Sequence, residues 1–418
     1  PKNRYGFSPS VGLGWVISNE SFFEPLTNVI QYLKVRGTWG QVGNSQISGR
    51  RFAYLATVTD SSSTSYTFGK NMDQNYGTTA IDEYAVDVTW EVADKTDIGV
   101  DMRLLNNKLN LQFDYFKESR EGIYLRRSSI PSYVGMINNP YGNIGKVENK
   151  GFELSVNYAN SWGGDWSLSL MGNYSFNRNK VLEDDSTVVY PWQNTIGNKV
   201  GQRFGLVALG LFESYGEIAA SPVQTGDTRP GDIKYKDING DGKIDEYDKV
   251  PIGWGSVPEI MYGFGFSVGW KNLSLTAMFQ GAAHVDAMLS GEGVLPFSQG
   301  SSRGNLLSNI TDRWTEENPR QNAFYPRLSI GNINMNYEES TWWLKDTDYL
   351  RLKNIELSYR LPDHWMKRIH LDNARIFIQG VNLLTFSSFK IWDVELGDGR
   401  GARYPNIASV SLGVNFNF

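Results

Sequence analysis

Residues 237–248 read DINGDGKIDEYD. Asp237, Asn239 and Asp241 fall at positions 1, 3 and 5 of a twelve-residue loop, Gly242 at 6, Lys243 at 7, Asp245 at 9 and Asp248 at 12. That is the ligand order of an EF-hand loop. Hard oxygen donors recur at alternate residues, a glycine sits where the chain must turn sharply, and Lys243 can offer only its backbone carbonyl. Such donors select Ca²⁺ first and Mg²⁺ second. Asp248 replaces the usual glutamate, and its shorter carboxylate reaches less well, which weakens the site or admits water. The plainer reading of the same residues is a solvated turn, because Asn-Gly and Asp-Gly pairs form turns readily. Neither flank, GDIKY at 231–235 or KVPIG at 249–253, has a helical pattern. The sequence therefore predicts a calcium-type loop within 232–253 that staples the chain, not a sensor that opens.

Catalytic constellations are absent from the pattern. Glu183, Asp184 and Asp185, and likewise Asp393 and Glu395, are close only in sequence. Glycoside hydrolysis needs two carboxylates facing each other across a bond, and nothing here sets that up. His284, His364 and His370 share no metal-ligand spacing. No nucleophile elbow occurs in a strand-to-helix context. Cysteine is absent, which removes thiol nucleophiles, disulfides and thiolate metal sites. The net charge of -5 argues against a nucleic-acid partner. No enzyme is expected. Trp192, Trp254, Phe297, Phe324 and Trp392 lie in loops, where their rings could stack on sugars or simply pack.

The elements that carry these loops are strands. At 409–418 the chain reads SVSLGVNFNF. Val410, Leu412, Val414, Phe416 and Phe418 alternate with Ser409, Ser411, Gly413, Asn415 and Asn417, giving one apolar and one small polar face. Phe7, Val11, Leu13 and Trp15 do the same near the start. Ile98, Val100, Met102 and Leu104 turn through Asn106, Asn107 and Lys108 into Leu109, Leu111, Phe113 and Tyr115, a hairpin. Further pairs are 152–158 with 166–176, and 262–270 with 273–279; 349–361 and 375–381 precede the last strand. In 349–361 the pattern is less clean: Arg351 and Lys353 share a side with Tyr349 and Ile355 and are read as snorkelling near a rim. Trp342 and Trp343 are read as an interfacial aromatic belt. Helix is confined to short pieces, with 305–314 as the candidate.

Strands of nine or more residues exceed the usual soluble length of about 5–6 and match the ~9–11 of a tilted membrane strand. Short turns alternate with the long polar stretches 178–201, 213–258 and 282–345, as barrel turns and loops do. The mean hydropathy of -0.39 and the lack of a long apolar run exclude a helical membrane protein, but alternating barrel strands average out as hydrophilic. Aromatic residues make up 13%, which suits a membrane interface and equally a carbohydrate-binding β-protein. No charged and apolar leader pattern opens the chain, so export would place Pro1 after a removed segment. The fold class expected from these residues is all-β, an antiparallel transmembrane barrel with long extracellular loops.

DIKYKDINGDGKIDEYDKVPIG (232–253) followed by PEIMYGFGFSVGWKNLSLTAMFQG (258–281) resembles the SusC/RagA family of TonB-dependent outer-membrane transporters. TDRWTEENP, WWLKDTDYLRLKNIELSYRLP, ARIFIQGVNLLTFS, NKGFELSVNY and GFSPSVGLGWVISNESFF extend the resemblance over nearly the whole chain. It implies the C-terminal part of a plugged barrel of about 22 strands, with the plug and TonB box outside residues 1–418 and roughly a dozen strands within them. It further implies import of glycan oligosaccharides or peptides, a SusD-like surface lipoprotein as partner, TonB acting through the N-terminal region, and an integral outer-membrane location against lipid. Residues 409–418 would close the barrel, with Phe418 as the residue read by the assembly machinery, and would leave an open edge where the first strand is missing. The alternative weighed against this is a soluble or surface-attached, calcium-stapled, β-rich carbohydrate-binding protein. Such a protein must bury the apolar face of 409–418 in its own core.

Overall fold

The computed structural model describes residues 5–45, 54–72, 74–83, 87–134, 138–291, 293–297, 306–331, 333–368, 371–399 and 401–417. Phe418 and His370 lie outside them. Among the described residues, eleven antiparallel strands form one sheet, each paired with the sheet strands that precede and follow it. They are β1 (Ser10–Val16), β2 (Ile30–Asn44), β3 (Glu91–Leu104), β4 (Leu109–Arg126), β5 (Tyr141–Trp162), β6 (Trp166–Glu183), β7 (Ile260–Trp270), β8 (Leu273–Ala283), β9 (Tyr349–Arg360), β10 (Asn373–Ser387) and β11 (Ser409–Asn417). The sheet is open, with β1 and β11 as its two edges.

Register turns the alternation of single strands into two continuous faces. One row across the sheet runs Trp15, Val35, Val100, Phe113, Leu154, Tyr174 and Tyr262, each opposite the next. The adjacent row, on the other face, runs Gly14, Arg36, Gly99, Asp114, Glu153, Ser175 and Met261. A slip of one residue in any strand would exchange its faces, so the unbroken apolar rows fix the register. Nothing among the described residues covers the apolar face of the last strand: Val410, Leu412, Val414 and Phe416 are 64, 78, 47 and 52% exposed. A protein in water would not leave these side chains in a continuous sheet face, whereas lipid solvates them.

The short connections all lie at one end of the sheet. Leu105, Asn106 and Asn107 take positive φ between β3 and β4, and Gly163 and Gly164 do so between β5 and β6. Just above these turns, Trp162, Trp166, Trp270, Leu273 and Tyr359 stand side by side on the apolar face. This row is the aromatic belt, where an indole or phenol meets both lipid and water.

The sequence reading placed the belt at Trp342 and Trp343, and the structure corrects it. Trp343 is 1% exposed inside the loops and donates its Nε1–H to the Asn336 carbonyl at 2.6 Å. Trp342 donates to the Phe324 carbonyl at 3.2 Å. A buried carbonyl satisfies an indole as well as an interface does, so residue type alone did not separate the two. Arg351 lies at the long-loop end of β9 but does not snorkel: it is 2% exposed and bonded to Thr385 Oγ1 at 3.0 Å and Asp393 at 2.8 Å. Of the candidate helix 305–314, the described residues form a 3₁₀ turn, Ser308–Thr311. His364 lies on a short helix, Asp363–Arg368. The strand Ile30–Asn44 and the hairpin Thr57–Phe68 with Gln74–Glu83 were not read from the sequence.

The hydrophobic core lies in the long loops. The described residues of 184–259, 284–348 and 388–408 leave the same end of the sheet and contribute to one packed cluster. Leu206, Ile233, Tyr235, Leu289, Tyr325 and Trp343 are at most 2% exposed within that cluster. These loops form a folded cap on the sheet's long-loop end.

Candidate functional site

The loop at 237–248 lies in this cap. Lys243–Ile244 pairs in parallel with Val223–Gln224, and Glu246–Asp248 forms a 3₁₀ turn. The Asp237 carboxylate accepts the backbone N–H of Gly240 at 2.6 Å and of Gly242 at 2.9 Å. Both glycines have positive φ, 75° and 82°, as the sharp turn requires. Asn239 accepts from the Asp241 N–H at 3.0 Å, and Asp241 from the Lys243 N–H at 2.9 Å. Asp245 caps the 3₁₀ turn by accepting from the Tyr247 N–H at 2.8 Å. Asp248 is wholly buried and accepts from the N–H groups of Ile238 at 2.7 Å and Asp245 at 2.9 Å. The loop therefore has the donor order and turn geometry read from the sequence. Among the described residues, however, no three Asp, Glu or His side chains gather in metal-holding geometry. The carboxylates are engaged in closing the turn.

The mouth of the sheet, where loops meet strands, holds two clusters that the sequence did not reveal. Glu259, 4% exposed, receives Arg178 at 2.9 and 2.7 Å and Lys199 at 3.0 Å, with His284 Nδ1 at 3.1 Å. Burial alone would raise the Glu259 carboxyl, but the bonds from Arg178, Lys199 and His284 outweigh it and hold it at about 2. Trp254 stacks on His284 with centroids 3.9 Å apart. Asp286 accepts the N–H groups of Trp254 and Gly255, and burial pushes its carboxyl up. Arg203 reaches Asp286 at 3.5 Å and Asp398 at 2.7 Å, so one guanidinium ties the three long loops together. Partners 81 and 195 residues apart leave no local signal in sequence.

On the polar face of the sheet, Arg36 bridges Asp97 at 2.9 Å and Asp101 at 3.5 Å, and also bonds Asp114. Gly99 lies between them: a Cβ there would run into Asp114 Oδ1 and Arg36 Cζ. Ionised groups at this depth are tolerated only on a wet or protein-filled interior.

The remaining sequence candidates are structural. Asp184 bonds Ser186 and Thr195, Asp185 accepts from Ser129, and Asp393 holds Arg351 and the Glu395 N–H. Trp192 stacks on Tyr190 at 4.6 Å and donates to the Tyr247 carbonyl. Phe324 and Trp392 pack against the loop core, and Phe297 is half-buried at a positive φ. The arrangement supplies a wall with a polar inner face, a fixed mouth and a folded cap.

A family model described as "TonB dependent receptor-like, beta-barrel" matches residues 1–383. TonB-dependent receptor P3 of Formosa agariphila is 28% identical over 447 residues, covering all of this chain and 42% of the relative. TonB-dependent receptor SusC of Bacteroides thetaiotaomicron is 26% identical over 434 residues, covering all of this chain and 40% of the relative. Among solved structures, the RagAB peptide importer in its open-open state is similar with a TM-score of 0.73 at 22% identity, over all of this chain and 43% of that one. The chain spans about two-fifths of the length of the curated relatives it matches.

Proposed function

The chain belongs to the TonB dependent receptor-like β-barrel family, and we propose that it forms the membrane wall and cell-surface cap of a nutrient importer of SusC/RagA type. Members of this family are integral outer-membrane transport proteins, not enzymes. The imported nutrients are glycan oligosaccharides or peptides. A SusD-like lipoprotein docks on the cap, and TonB supplies energy through a region outside residues 1–418.

The observation that carries this reading is the phase of the eleven strands. Their apolar rows join into one lipid-facing surface, and their polar rows form an inner lining with Arg36 and its aspartates. The soluble carbohydrate-binding alternative requires a protein layer over Leu412 and its neighbours, and none of the described residues provides one.

The test is genetic and physical. The protein is expected in the outer-membrane fraction, extracted only by detergent, and its deletion is expected to abolish growth on one class of oligomeric nutrient. A soluble full-length protein, or a deletion strain that grows normally on every oligosaccharide and peptide its parent uses, overturns the proposal. We also keep Ca²⁺, or failing it Mg²⁺, as a proposed staple of residues 237–248, supported by donor type, donor order and the turn at Gly242.

A further inference from the structure

The lipid-facing side of the wall has a second boundary, opposite the aromatic belt. Trp162 and Trp166 stand in that belt, and the same face continues along β5 and β6 to Lys150 and Arg178, twelve residues away on each strand. At ~3.4 Å per residue and a strand tilt of ~40°, that is about 31 Å along the membrane normal, the thickness of a hydrocarbon core. Both cations therefore stand at headgroup level in the leaflet on the long-loop side.

The register gathers others around them. Lys150 lies opposite Lys117 on β4 and Arg178 on β6, and Lys180 lies one row higher, opposite Glu148. The row below is Tyr115, Phe152 and Phe176, the last of the aromatic surface. The side chains of Lys117, Lys150 and Arg178 are 50, 56 and 45% exposed.

Their charge is only partly answered. Glu148 is 2.8 Å from Lys117 and 3.6 Å from Lys150 and has Lys180 opposite, so one carboxylate serves all of these lysines. Arg178 bonds Glu259, which Lys199 shares. Asp94 lies two strands from Glu148, across Ser119, and accepts from Gln41. In the row above, Lys146 is held by Glu121 and faces Glu183, so the positive surplus is confined to the band at headgroup level. Lysines that merely snorkel would ring the whole wall. Here the outer face at this height carries Val11, Trp39 and Thr96 to one side, and its last residues to the other include Ile260, Ala283 and Leu350. The opposite boundary is marked by indoles, not cations.

We propose that Lys117, Lys150, Arg178 and Lys180 form a docking site for the phosphate of an anionic lipid in the cell-surface leaflet. Cations on neighbouring strands ~5 Å apart can share one phosphate, and its acyl chains then lie along Tyr115, Phe152 and Phe176. The inference rests on the apolar rows facing lipid, not on import. Its test uses the complete protein in detergent micelles. Native mass spectrometry measures binding of bisphosphorylated lipid A and of the same lipid with both phosphates removed, with inorganic phosphate as competitor. Wild type is expected to prefer the phosphorylated lipid by about tenfold or more. Lys150→Gln with Lys180→Gln is expected to abolish most of that preference, and Lys150→Arg with Lys180→Arg to retain it. Lys34→Gln, on the inner face, should leave it unchanged. Heat-modifiable gel migration verifies that each variant has assembled. Equal binding of the two lipids, an unchanged preference in the assembled Gln variant, an equal loss in Lys34→Gln, or displacement of the lipid by an equal concentration of inorganic phosphate overturns the site. If the complete protein is water-soluble, the lipid-facing reading itself falls; a membrane-embedded protein without the preference loses only this site.

Discussion

Asp232 is the buried hub of the cap, and replacing it by alanine tests whether the cap folds as a unit distinct from the wall. Its side chain is 2% exposed. Arg327 grips it with two bonds of 2.9 Å, Asn336 Nδ2 donates at 2.8 Å and the Arg229 N–H at 2.9 Å. Arg327 comes from 95 residues away, so the contact joins two of the three long loops' distant segments. Removing the carboxylate leaves a guanidinium and an amide facing a cavity. Breaking a buried pair this way costs about 3–5 kcal/mol. Arg327 keeps 19% exposure and can partly rehydrate, which places the cost near the lower figure, ~3 kcal/mol. At about 1.4 kcal/mol per decade, the open population of the cap should rise ~100-fold.

Limited proteolysis of the complete protein in detergent reads that population directly, provided that closing is faster than cleavage. Cleavage within residues 204–345 is expected to accelerate about two orders of magnitude. The heat-modifiable barrel band is expected to stay as in wild type, because no wall strand contributes to the cluster. A change in cleavage below about threefold would show that the Asp232 pair is not structural in the cap. Loss of the barrel band together with the cap would refute the claim that the two fold on separate terms.

Three further outcomes are expected. Glu259 has a depressed carboxyl, so its pairing stabilises the mouth fully above the ordinary carboxylate range and loses that contribution as pH falls from about 4.5 toward about 2; the difference in melting temperature between wild type and Glu259→Gln should shrink over that window, and a difference independent of pH would contradict it. Leu412→Arg places a charge in lipid and is expected to destabilise the barrel by roughly 2–4 kcal/mol in urea titrations, whereas Ser411→Arg on the inner face should cost little, and equal effects would reverse the assignment of faces. Substituting Asp237 and Asp241 by alanine, or chelating calcium, is expected to lower bound calcium and expose residues 237–248 to protease; if neither changes, the loop is a hydrogen-bonded turn.

The wall was largely legible in the sequence and the cap was not. Strands β3 to β11 announced themselves because their faces meet two different solvents, and alternation is the direct record of that difference. Strand β2 escaped notice because its polar positions, Lys34, Arg36 and Thr38, are answered by Asp101, Asp97 and Asp114 on neighbouring strands, so its charges looked like loop. The cap's core residues follow no period: Leu206, Tyr235, Tyr325 and Trp343 come from short segments scattered between residues 206 and 343. Their burial is set by tertiary meeting, not by local spacing. The calcium-type loop shows a middle case. Its donor order was readable, but whether its carboxylates face a common point or their own backbone is decided by a few torsions, and here they face the backbone.

One chain thus places its aromatic residues under three regimes, and that division bears on how the protein works. Trp162, Trp166 and Trp270 mark the membrane boundary. Trp314, Tyr325 and Trp343 hold the loop core. Trp254 and Tyr190 with Trp192 lie in stacked pairs at the surface of the mouth. The second group is decisive for the shape of the cap. Loops with a close-packed core, a clamp at Arg203 and a buried hub at Asp232 present a preformed shape, and a preformed surface binds without the ordering entropy that flexible loops lose. Substitutions in the cap's core should therefore change the shape of the mouth even where they leave its surface residues untouched.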